Sequence, residues 1–138
     1  MGEVNASREG DVATLVLSNP ARLNALDAAM WERLAVVSAQ LDQDETLRCV
    51  VVRGAGEQAF AAGADIASFP HERADARQAK RYGERIAAAL QAFAACRHPT
   101  VALIQGACVG GGLLLATQCD LRLCGASARF GVPVKSLG

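Results

Sequence analysis

Two runs without a polar side chain, Val50–Val52 and Val101–Ile104, constrain this chain more than any other feature in it. Each is too short for a buried helix, and each is bracketed by turn residues: Arg53-Gly54 after the first, Pro99 and Gln105-Gly106 around the second. A strand that is apolar on both faces has to be covered on both faces, which is the condition of a parallel sheet under helices. Helical periodicity appears where the cover is needed. Asp27 is placed to cap a helix with Met30, Leu34, Val37 and Leu41 on one face. Asp75 to Cys96 reads as a long helix with Ile86, Leu90 and Phe93 turned inward. "EVNASREGDVATLVLS" reads as two short strands about Glu9-Gly10-Asp11, and "DLRLC" and "ARFG" as short closing strands. "AGEQAFAAGAD" reads as a small-residue loop opening a short helix at Asp65, and "FPHERADAR" as a polar, mobile loop. Strands alternating with helices predict a single α/β domain with parallel pairing over residues 1–138.

Charge and composition remove several functions. The 14 basic and 14 acidic residues balance, so nothing favours a nucleic-acid partner. The longest charge-free stretch, His98 to Cys119, is interrupted by Pro99, Gln105 and glycines, so it predicts strand, turn and helix in place of a membrane span. The N-terminus carries no apolar signal segment. Cys49, Cys96, Cys108, Cys119 and Cys124 form no C-x-x-C pair and have no histidine cluster beside them, so no metal site is expected. An odd number of thiols inside apolar runs predicts reduced cysteines and a cytoplasmic protein.

The stretch "GACVGGGLLLATQCD", Gly106 to Asp120, poses the chemical question. Three glycines lead into a segment with no acid, base or nucleophile before Asp120. The spacing is not G-x-G-x-x-G, and a P-loop would need lysine where Gly112 stands. What remains is a helix N-terminus, whose unpaired N–H groups carry partial positive charge. It is either a packing turn or a donor to a developing oxyanion. "AAGAD" at 61–65 is a second small-residue turn that also opens a helix and could aim an N–H at the same point.

In order along the chain, "NPARLNALD", "FAAGADI", "PTVALIQGACVGGG" and "CDLRLCGASARFGVP" resemble the motifs of the crotonase superfamily, the enoyl-CoA hydratase/isomerase family. The resemblance implies a ββα spiral core, with further strands and a C-terminal helical region that this chain does not contain. It implies an acyl-CoA thioester as substrate, coenzyme A being part of that substrate and no other cofactor being needed. The N–H groups of Ala64 and Gly111 would then hold the thioester carbonyl. Ala62 and Ile66 would line the pantetheine path, Gly110 would flank the acyl site, and Arg22, Leu23 and Ala25 would meet the nucleotide end. Homotrimers or hexamers are implied for the complete protein.

The resemblance stops where the chemistry should occur. Hydratases of this family carry glutamates at the positions of Leu114 and Val134. Adding water to an enoyl double bond needs one group to activate water and another to protonate the α-carbon, and leucine and valine do neither. Two readings follow: an acyl-CoA-processing enzyme that does not depend on those carboxylates, or a non-catalytic acyl-CoA-binding or assembly subunit. Other polar residues have plainer readings: Asp65 as a helix cap, Asp120 as structural, His71 and Glu72 as solvated loop residues, Cys108 as core and Lys135 as a surface charge or phosphate contact.

Overall fold

The hydrophobic pattern decides most of the elements. The structure, a computed structural model, describes residues 1–134. Strands β1 (Glu3–Glu9) and β2 (Val12–Ser18) form an antiparallel hairpin turning at Gly10, and β2 buries Ala13, Leu15 and Leu17 on one face. Strands β3 (Cys49–Gly54), β5 (Thr100–Ile104) and β7 (Leu121–Cys124) add to it in parallel, giving the order β1-β2-β3-β5-β7. The buried parallel strands expected from Val50–Val52 and Val101–Ile104 thus sit at the centre of this sheet.

A second, three-stranded parallel sheet has the order β4-β6-β8, from Ala59–Ala62, Ala107–Val109 and Arg129–Gly131. This corrects the reading of 55–65 as a loop, and it adds a strand at 107–109 that was not expected. β4 and β6 are too short, and their side chains too small, to display a strand period. Their strand character comes from pairing with each other, Ala59 opposite Ala107 and Ala62 opposite Val109. The chain repeatedly lays a strand in the first sheet, turns, lays one in the second and returns through helix, which is the ββα spiral.

Helix α1 (Ala28–Gln43) starts where expected, with the Asp27 carboxylate accepting from the Met30 N–H at 2.9 Å. It buries Met30, Trp31, Leu34 and Val37. Helix α3 (Ala76–Ala94) is capped by Asp75 and packs on α1. Its buried residues are Tyr82, Ala89 and Phe93, with Ile86 and Leu90 at the margin, so the inward face is turned slightly from the predicted stripe. The mobile loop expected over 69–77 is also corrected. It contains a one-turn helix α2 (Phe69–Glu72), held by an edge-to-face contact of Phe69 with Tyr82 at 6.0 Å and by the Arg73 guanidinium over the Phe69 ring. No helix among the described residues is long and apolar enough to cross a membrane.

Two of the thiols are core residues with a measurable signature. Burial raises Cys108 to about 11 and Cys119 to about 12. In the unfolded chain both would ionise near 9, so above that pH the unfolded state loses protons first and stability falls. The decline continues until the folded-state values are passed. Each thiol contributes a slope of up to about 1.4 kcal/mol per pH unit in that window. Urea unfolding is expected to show a lower midpoint at about pH 10 than at about pH 8, and replacing both cysteines by alanine should flatten that difference.

Candidate functional site

The site is built on a loop held by two asparagines. Leu23 and Asn24 are consecutive left-handed residues, φ 50° and 58°, a conformation that costs roughly 1–2 kcal/mol for a residue such as leucine. The side chain of Asn24, buried, offsets this. Its amide donates to the carbonyls of Ala55 and Ala59, and its oxygen accepts from the Asn19 N–H at 3.0 Å. The Asn19 amide in turn donates to the Ala25 carbonyl and reaches the Asp65 carboxylate at 3.4 Å. Residues 19–26 are thereby fixed against the segment that leads into Ala64.

The bridge between Leu26 and Ala64 is specific in its geometry. Leu26 donates its N–H to the Gly63 carbonyl at 2.8 Å and accepts from the Asp65 N–H at 2.9 Å. In such a parallel bridge the bracketed residue, Ala64, points its own N–H away from the partner strand. Gly111 begins helix α4 (Gly111–Gln118), where no preceding turn supplies an acceptor. Among the described residues neither the Ala64 nor the Gly111 N–H has a partner. The two turns are apposed: a Cβ added at Gly110 would lie 3.6 Å from the Gly63 Cα, and one at Gly111 3.8 Å from the Gly63 carbonyl carbon.

The three glycines do three different things. Gly110 has φ 53° and gives its N–H to the Gly131 carbonyl, so it makes the corner between β6 and α4. Gly112 lets α4 lie against β4, since a Cβ there would fall on the backbone of Ala61. Gly111 opens the helix, and its N–H has no partner among the described residues.

Residues 7–138 match the family described as enoyl-CoA hydratase/isomerase. The chain belongs to this family. It is 31% identical to the short-chain-enoyl-CoA hydratase of Clostridium acetobutylicum over all of this chain and 52% of that protein. Similarity to the mitochondrial delta(3,5)-delta(2,4)-dienoyl-CoA isomerase of Dictyostelium discoideum is 32% identity over 88% of this chain and 44% of that one. The crystal structure of an enoyl-CoA hydratase/carnithine racemase from Magnetospirillum magneticum superposes with a TM-score of 0.95 at 45% identity, covering 98% of this chain and 51% of that one. The chain spans about half the length of the curated relatives it matches.

Within this member of the enoyl-CoA hydratase/isomerase family, the predicted residues distribute as follows. Arg22, Leu23 and Ile66 are exposed, while Ala25 is buried, with its carbonyl taken by Asn19. Ala62 is half-buried and its N–H donates to the Leu23 carbonyl, lacing the two motifs together. Leu23 also lines an open cleft of about 470 Å³, with Pro20, Asn24 and the Ala55–Ala59 turn. A second cleft, of about 320 Å³ at the carboxyl ends of β3, β5 and β7, contains no residue of the two turns. Leu114 and Val134 present apolar side chains at the surface, 49% and 70% exposed.

The other polar candidates are engaged elsewhere. Asp65 accepts from the Ala67 N–H, as a cap. Asp120 accepts from the N–H and hydroxyl of Thr100, tying α4's exit to β5. Glu72 is not a solvated loop residue: it accepts from the Ala28 N–H at the start of α1 and from the Ser68 hydroxyl. His71 is exposed and Cys108 buried; Lys135 lies outside the described residues. Asn19, Asn24 and Trp31 were not singled out from the sequence. Asn24 had a signal, since asparagine before a small residue favours a left-handed turn. The importance of Trp31 depends on which residue its ring meets, which no local pattern encodes.

Proposed function

We propose that this protein binds acyl-CoA thioesters and polarises the thioester carbonyl between the backbone N–H groups of Ala64 and Gly111. The observation that supports this most directly is the pair of unpartnered N–H groups on apposed turns, one of them at a helix N-terminus. Preorganised donors of this kind stabilise the enolate formed when negative charge moves onto the carbonyl oxygen. Arg22, Leu23 and Ala25 belong to the nucleotide end, Ala25 acting through the shape of its loop, and Ala62 and Ile66 to the pantetheine path. Gly110 sets the turn. Assembly into homotrimers or hexamers belongs to the same reading, which family membership supports.

A non-catalytic acyl-CoA-binding subunit is the second reading, favoured by the apolar side chains at Leu114 and Val134. Calorimetry of the full-length protein with a non-hydrolysable acyl-CoA analogue is expected to show saturable binding. No heat and no competition at about millimolar ligand, a Kd weaker than about −4 kcal/mol of binding, would exclude both readings. Incubation with crotonyl-CoA then separates them, because a binder returns it unchanged.

A further inference from the structure

Trp31 lies fully buried one turn into α1, beneath the Gly111 turn. A Cβ placed at Gly111 would come within 3.1 Å of its Cζ2 and 3.7 Å of its Cη2, so the Gly111 turn rests on the indole. The indole N–H faces the hydroxyl of its neighbour Tyr82, which reaches in from α3 and is 3% exposed, but the pair falls short of good hydrogen-bond geometry, and neither group has another partner among the described residues. A buried polar group whose hydrogen bond is poorly formed is a cost to stability. Leucine or phenylalanine would fill the space without that cost, so packing alone does not account for two such groups side by side behind the Gly111 turn. Their chemistry is complementary, since an indole only donates while a phenol also accepts. Burial first, and then the charge of Glu72, hold Tyr82 above its ordinary pKa, so the hydroxyl remains protonated. Tyr82 also packs on Phe69, five residues beyond Ala64, which places the same side chain against the segment leaving the first donor turn.

We infer that Trp31 is a positioning residue for the oxyanion pair: its ring sets the seat of the Gly111 turn relative to Gly63 and Ala64, and the Tyr82 hydroxyl holds that ring in place through the indole N–H. The inference rests on the oxyanion reading given above. The test uses full-length protein and butyryl-CoA labelled with carbon-13 at the carbonyl, with the carbonyl stretch read by difference infrared spectroscopy. In the unmodified protein the stretch is expected to move to lower frequency on binding. In Trp31→Phe and in Tyr82→Phe at least half of that shift should be lost, with affinity for butyryl-CoA roughly tenfold lower and affinity for coenzyme A itself unchanged. Tyr82→Phe keeps the ring and its contact with Phe69, so it decides the matter if Trp31→Phe does not fold. Full shift and affinity in both variants would overturn the inference, as would an equal loss of affinity for butyryl-CoA and coenzyme A. Absence of any shift in the unmodified protein would instead remove the oxyanion reading, and this inference with it.

Discussion

Changing Leu114 and Val134 together to glutamate is expected to raise hydration of crotonyl-CoA well above that of the unmodified chain. General acid–base assistance is worth roughly a hundred- to ten-thousandfold in rate for each working group, and neither native side chain supplies any of it. On the oxyanion reading proposed above the two N–H groups would remain, so the substitution would add proton transfer to a carbonyl polarised by them. The structure is favourable to the change. Both positions are well exposed, so the new carboxylates escape the desolvation that would keep them protonated. Position 114 lies in the first turn of α4, where a negative charge is stabilised by about 0.3–1 kcal/mol. Loss of the enoyl absorbance gives the rate. A folded double variant no faster than the parent would show that these positions do not face the bound acyl group. A parent already working at the rate of a good enzyme would show that proton transfer comes from elsewhere.

Adjacent glycines should respond in opposite ways. Gly112→Ala is expected to lower the stability of the fold by about 3 kcal/mol or more, because its methyl would lie 2.8 Å from the Ala61 Cβ and 3.0 Å from the Ala61 carbonyl carbon. The atoms in the way are largely backbone and cannot rotate aside, so α4 has to lift from β4. The gain in helix propensity, about 1 kcal/mol, does not offset this. Gly111→Val should leave a folded protein that no longer binds the acyl part of the ligand. Its side chain would wedge between Trp31 and Gly63 and part the two turns, where misplacement by about 1 Å costs on the order of a hundredfold. Denaturant titration and calorimetry separate the two outcomes. A stable Gly112→Ala or a normally binding Gly111→Val would each contradict the role assigned to that residue.

The central strands, both long helices and the Asp27 cap were legible because each segment carries its own apolar pattern. β4 and β6 were not, because "AFAA" and "ACV" become strands only through partners about fifty residues away, Ala61 opposite Cys108 among them. Segment 69–77 read as mobile since its polar composition hides two tertiary anchors, Phe69 on Tyr82 and Glu72 on the Ala28 N–H. At the site, the motifs pointed to Ala64 and Gly111 as backbone positions. What they could not reveal was the bracketing of Ala64 by Leu26, or the indole under Gly111, since both depend on how distant segments stack.

Helix α4 carries a further implication. Gly112 and Leu115 are committed to the interior, whereas Leu114 between them faces outward. The main chain at Gly111 is thus fixed by residues that folding itself demands, and the side chain three places on is free of that demand. Substitutions at position 114 would therefore cost the fold little, while those at 112 or 115 would disturb the packing that fixes the Gly111 backbone. If the proposed acyl-CoA reading holds, a scaffold arranged in this way could change the side chain at 114, and with it the reaction, without passing through an unfolded ancestor.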